Sequence, residues 1–244
     1  WFTESFYGSL SFGALREITN SDTTSEKGET VLNDLTLRIG TNQIAKIPGG
    51  LTLSGAIDGL FPTSKASQAR TMLVGVRPSL RLAWSLPGVK SLSLSYSLAG
   101  TWYAHEYTTS SRDVPLIPGC GLTTEGCDAY SHSGVRNTEW RLTNSVATSY
   151  APTSWLSFAA AFVMLHDRVY DLEADDEESM SYLPQKPSDI RYILAYDLSM
   201  TIQAAESLNV TLGASTANPQ LAPDTSYYRP FYNRYTNLYL NLSL

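Results

Sequence analysis

The chain has 244 residues, with 17 Lys and Arg against 23 Asp and Glu and a formal net charge of −6, so it lacks the basic footprint of a nucleic-acid binder. Charged residues make up 16% of it, well under the roughly 25% usual in soluble globular domains; Ser, Thr, Asn, Gly and Tyr supply most of the polarity. The longest apolar run, Phe158 to Leu165, falls far short of the ~20 residues of a membrane-spanning helix, which excludes helical insertion. A single domain over 1–244 is expected. With Trp1 first and no basic, apolar leader before it, a processed or trimmed start is also expected.

Alternation of apolar and polar residues runs through nearly the whole chain, and no stretch carries a 3.6-residue stripe. In chain order, strands are expected at 5–16, 29–40, 51–61, 71–85, 90–107, 136–150, 155–167, 190–202, 207–216 and 235–244. The clearest is "LSLSYSLAGTWYAHEY": Leu92, Leu94, Tyr96, Leu98, Gly100 and Trp102 take one face, and Ser93, Ser95, Ser97, Ala99, Thr101, Tyr103 and His105 the other. "IRYILAYDLSMTI" repeats the pattern, with Ile190 to Ile202 on the even positions. Pro78 sits inside 71–85 and cannot donate a ladder hydrogen bond, so a bulge or a displaced strand end is expected there.

The connections alternate in length. Long polar ones, "ITNSDTTSEKGE", "PTSKASQ", 108–135, 168–188 and "ANPQLAPDTSYYRPFYN", are separated by the short "LPGVK", "APTS" and "QAAES". One link, "TNQIAKIPGG" after the second strand, breaks the rule. Trp84, Tyr150 and Trp155 fall beside short turns and Trp102 and Trp140 near a long loop, two belts of the kind that aromatic girdles form at membrane interfaces.

The chain closes on "YTNLYLNLSL", with Leu238, Leu240, Leu242 and Leu244 on one parity. That face needs a cover, either the body of the protein or lipid. A soluble β-sandwich would turn the leucines inward; against it stand strands longer than the usual five or six residues and a scarcity of Lys and Glu on them. In a barrel the leucines meet lipid and the small polar residues line the interior. The closing stretch, the strand pattern and the loop alternation together resemble bacterial outer-membrane β-barrel proteins. The resemblance implies an all-β fold, an antiparallel up-and-down transmembrane β-barrel of about ten strands in the bacterial outer membrane, with both ends at the periplasmic side. It further implies outer-membrane lipid as surroundings and recognition of the last strand by the barrel-assembly machinery, although Leu244 stands where such strands commonly carry Phe.

On the barrel reading, parity turns Asp34, Arg38, Asp58, Arg77, Arg81, Glu139, Arg141, Asp189, Arg191 and Asp197 inward. Either they pair across strands and fill a lumen that is narrow at this strand number, or Arg38, Arg77, Arg81, Arg141 and Arg191 favour anions along a polar path. The small residues from Ser93 to Thr101 tip the expectation towards an open interior. A small passive channel or transport-associated outer-membrane protein, without cofactor, is therefore the leading function, its lumen narrowed by loops 108–135 and 168–188. The alternative is a structural or adhesive barrel that binds an envelope protein through the segment holding Tyr227, Tyr228, Arg229, Phe231 and Tyr232, because Tyr and Arg are enriched in binding hot spots.

Cys120 and Cys127, separated by six residues, suit a short loop disulfide in an oxidising compartment; two cysteines are too few for a structural zinc site. The acidic run from Asp171 to Glu178 lacks the spacing and glycine of an EF-hand loop. "YAHEY" (His105, Glu106) and "LHDRVYD" (His166, Asp167, Asp171) bring histidines and carboxylates near long loops, as in outer-membrane proteases of the omptin type, but no Asp-x-His occurs. Adjacent strand residues also point to opposite faces, so no catalytic residues and no enzyme activity are expected, and an omptin-like rim protease stands only as a distant alternative.

Overall fold

A computed structural model describes residues 5–16, 30–86, 91–110, 136–171, 189–205, 208–219, 229, 233 and 236–243. Its elements are β1 (Phe6–Ser11), β2 (Ala14–Arg16), β3 (Thr30–Leu32), β4 (Leu35–Ile47), β5 (Leu51–Phe61), α1 (Lys65–Ala69), β6 (Met72–Ser85), β7 (Leu92–His105), β8 (Thr138–Tyr150), β9 (Leu156–Val169), β10 (Ile190–Ala205), β11 (Leu208–Pro219) and β12 (Asn237–Ser243). Ten strands form one antiparallel up-and-down sheet in the order β1-β4-β5-β6-β7-β8-β9-β10-β11-β12, and β2 pairs with β3 as a separate hairpin. β1 and β12 end the order, and among the described residues they do not pair with each other.

Two expected strands, 5–16 and 29–40, are each split, because the chain leaves the main sheet at Gly13 and rejoins it after Asn33. The Asn33 N–H donates to the Gly13 carbonyl at 2.8 Å, which fastens the root of the β2–β3 hairpin to the end of the sheet.

The link at 41–50 is a correction to the sequence reading. Most of it continues β4 to Ile47, with a register shift between Thr41 and Ala45 that the alternation pattern concealed. Only Pro48, Gly49 and Gly50 remain as a tight turn. Gly49 and Gly50 adopt φ of +90° and +86°, the left-handed region that glycine enters without steric cost. The Trp84 Nε1–H of β6 donates to the Gly49 carbonyl at 2.9 Å. With this turn shortened, every short connection lies at one end of the sheet and every long one at the other.

Pro78 causes neither a bulge nor a strand end. Its pairing to Ile57 of β5 is intact, whereas the ladder to β7 lacks Arg77 and Pro78 and resumes in the same register at Ser79. The donor that proline lacks is missing on the β7 side alone. The shift on this ladder falls instead between Met72 and Val74.

A short helix was not foreseen in the third connection. Ser64 caps α1, its Oγ accepting from the Ser67 N–H at 3.1 Å. Asp34, expected in the lumen, serves the same turn: Oδ1 accepts from the Ser64 N–H at 2.9 Å and Oδ2 from the Ser67 hydroxyl at 2.5 Å.

The burial pattern is inverted relative to a soluble sandwich. Among the described residues the buried apolar set is Met72, Val169 and Tyr196, whereas Asp58, Ser95, Thr101 and Asp167 are buried polar residues. Ile39, Ile57, Leu80, Phe162 and Leu240 are all exposed, with Ile57 at 59%. Among the described residues nothing covers the Leu-rich face that a sandwich would bury, and the polar face is the enclosed one.

Candidate functional site

The site is built from one lateral row on the enclosed face. Backbone register sets Arg38 of β4 opposite Asp58 of β5, and Asp58 opposite Arg77 of β6. Thr101 of β7 faces Arg141 of β8, which faces Asp167 of β9, which faces Arg191 of β10. The register of β6 against β7 places Arg77 level with Thr101. The row reads Arg-Asp-Arg-Thr-Arg-Asp-Arg across seven adjacent strands, with four cations against two anions.

Its two halves are wired differently. Asp58 is fully buried and takes both neighbours: the Arg38 Nε–H donates to Oδ1 at 2.6 Å and Nη2–H to Oδ2 at 2.9 Å, while the Arg77 Nε–H reaches Oδ2 at 2.8 Å. Asp167 is held by Arg141 in a two-pronged pair of 2.5 and 2.6 Å, the geometry in which a guanidinium matches a carboxylate best. Arg191, on its other side, turns away and donates from Nη2 to the Arg136 carbonyl at 3.2 Å. Burying a carboxylate is costly unless it is paired; here each short acid lies under longer arginine side chains that remain partly accessible.

Above the row, towards the long connections, a second layer of polar contacts ties the chain segments together. Asn137 is 2% exposed and joins three chain segments. Its Nδ2–H groups donate to the carbonyls of Arg70 and Tyr107 at 2.8 and 2.9 Å, its Oδ1 accepts from the Ser110 hydroxyl at 2.8 Å, and its carbonyl accepts from the Tyr170 N–H at 3.0 Å. The connection that carries α1 is thereby drawn from β6 across to the start of β8. Arg136 pairs with Asp189 at 2.6 Å, which places Asp189 at this rim. Most of loops 108–135 and 168–188, expected to narrow a lumen, lies outside the described residues.

Below the row the enclosed face holds Ser95, Ser97, Ala99, Ser145 and Ala161. Arg81 lies here, four residues nearer the short turns than Arg77, exposed, with Nη2–H donating to Ser95 Oγ at 3.4 Å. Further round, Asp197 accepts from the Tyr239 hydroxyl of β12.

Glu139 departs from its expected place. A register shift between Thr138 and Trp140 brings its carboxylate to 3.8 Å from Arg168, whose backbone partner is the exposed Trp140; the bulge overrides parity. His166 and Asp167 lie on opposite faces, His166 edge-on to Tyr192 at 5.0 Å between ring centres. His105 has a buried Nδ1 without a hydrogen-bond partner among the described residues, and its ring lies 5.7 Å from that of Tyr170. No group of three His, Cys, Asp or Glu side chains that could hold a metal occurs among the described residues. Cys120, Cys127, Tyr227, Tyr228, Phe231 and Tyr232 lie outside those residues; Arg229 is exposed, and its carbonyl accepts from Asn233 Nδ2–H at 2.8 Å.

No protein-family model and no curated protein sequence matches the chain.

Proposed function

We propose that the protein is a bacterial outer-membrane β-barrel in which β1 pairs with β12 to close the ring, and that it acts as a small passive channel. The inverted burial is the observation that carries this reading: large apolar side chains stand exposed on one face of strand after strand while charged and hydroxyl side chains are enclosed. In lipid an open sheet edge leaves backbone groups unsatisfied at a cost of several kcal/mol each, so a membrane sheet must close. Eight of the main-sheet strands, β4 to β11, have between 11 and 16 residues, enough to cross a bilayer at a tilt, which takes about 9–11. The exposed Trp84, Tyr150 and Trp155 at one end and Trp102 and Trp140 at the other suit the two interfaces.

Solutes would pass the α1 connection, the charged row and the small-residue section in turn. Single-channel recording of refolded protein in planar bilayers tests this. Discrete conductance steps are expected, and a silent bilayer with folded protein, judged by heat-modifiable migration on a gel, would contradict it. The second reading, an adhesive barrel, draws on the exposed Arg229 within the Tyr-rich connection; a stoichiometric envelope partner, lost on deletion of 225–232, would favour it.

A further inference from the structure

We infer that the interior conducts small oxyanions, carboxylates or phosphates, by way of three guanidinium groups that form no ion pair among the described residues: Arg70 and Arg191 at the mouth and Arg81 nearer the short turns. The inference rests on the open-channel reading. Its basis is the division of labour among the arginines. Arg38, Arg77, Arg141 and Arg136 are consumed by Asp58, Asp167 and Asp189 at 2.5–2.6 Å. Arg70, Arg81 and Arg191 form no ion pair among the described residues, and all three are exposed.

Their placement is along one path. Arg70 ends α1, and its carbonyl accepts from Asn137 Nδ2–H at the start of β8 at 2.8 Å, which holds it at the end of the sheet that carries the long connections. Arg191 ends the charged row on β10, with Nη2–H reaching the Arg136 carbonyl above it at 3.2 Å. Arg81 follows four residues beyond Arg77, about 13 Å along the strand. Between the stations the paired arginines Arg38 and Arg77 remain partly accessible, with side chains 40% and 35% exposed. Uncompensated like charges in a narrow, low-dielectric passage exclude cations and concentrate anions, and the planar guanidinium fork matches the two oxygens of a carboxylate or phosphate. Separated stations, each of modest strength, also let the ion leave, which conduction requires.

The test is the reversal potential of the protein in planar bilayers under a KCl gradient, followed by titration of inorganic phosphate into the chloride current. The wild type is expected to favour chloride over potassium and to lose current as phosphate competes. Arg81→Gln should weaken both effects. The triple variant Arg70→Gln, Arg81→Gln, Arg191→Gln should bring the permeability ratio to unity or below. Arg16→Gln, on the exposed β2 strand, should leave both unchanged. A conducting triple variant with wild-type reversal potential and phosphate block would overturn the inference while leaving the channel intact. Absence of conductance from folded wild type would overturn the channel reading, and the inference with it.

Discussion

Tyr239 of β12 lies across Gly213 of β11, so closely that a methyl group added at Gly213 would sit 2.2 Å from the phenol ring. The ring thus spans a whole strand and delivers its hydroxyl to Asp197 of β10 at 2.9 and 3.0 Å. Tyr7 of β1 lies over Gly40 of β4 in the same manner, 2.9 Å from where a Cβ would be. Each outermost strand of the sheet carries a tyrosine that packs over a glycine of its neighbour on the enclosed face, which fills the space beside the two edges of the sheet.

Gly213→Ala is expected to destabilise the protein by about 1–3 kcal/mol through overpacking. Tyr239→Ala removes the ring that causes the clash. In a double-mutant cycle by urea unfolding, the alanine at 213 should therefore cost much less in the Tyr239→Ala background. Equal costs in both backgrounds would show that the ring does not rest on Gly213.

Asp58 is the shared partner of Arg38 and Arg77. Asp58→Asn leaves two guanidinium groups facing each other without a carboxylate, and a loss on the order of 3 kcal/mol is expected. Adding Arg77→Met should recover part of it, since one uncompensated charge is removed. The unfolding midpoints of the single and double variants check the ordering.

The turn of Pro48, Gly49 and Gly50 separates two kinds of glycine requirement. Both glycines have positive φ, but a Cβ at Gly49 would meet nothing within 4 Å, whereas one at Gly50 would lie 2.5 Å from the Ser85 carbonyl oxygen. Gly49→Ala should cost about 1 kcal/mol, the conformational penalty alone. Gly50→Ala should cost clearly more, and equal thermal destabilisation of the two variants would show that Ser85 does not close on the turn.

Asn137→Ala should free the α1 connection without unfolding the sheet, because it removes the bonds that hold Arg70 and Tyr107 while β6 and β8 keep their ladders. Trypsin cleavage after Lys65 or Arg70 is expected to accelerate, with the folded gel mobility retained. Unchanged cleavage would mean that the connection is held elsewhere.

Much of this was legible in the sequence, because strand alternation has a period of two and glycine, proline and tryptophan punctuate the turns. The meander and the identity of the outward face follow from that pattern alone. What failed did so where register changes. Parity counted straight through the bulge at Glu139 and turned that residue inward, and the shift in β4 disguised a long strand as a loop. The row of Arg38, Asp58, Arg77, Arg141, Asp167 and Arg191 was legible as single residues only, since lateral alignment depends on how neighbouring strands slide. Asp34 was assigned to the lumen because nothing in its own strand signals the helix that it helps to cap thirty residues later.

The measurement that goes most directly to the central claim is the accessibility of spin labels placed singly at Leu198, Ser199, Met200, Thr201 and Ile202 of β10, with the protein in liposomes. Collisions with oxygen, which partitions into lipid, should peak at 198, 200 and 202, and collisions with a polar nickel complex at 199 and 201. A profile without the two-residue period, or one of opposite phase, would contradict an outward apolar face in lipid around a polar interior.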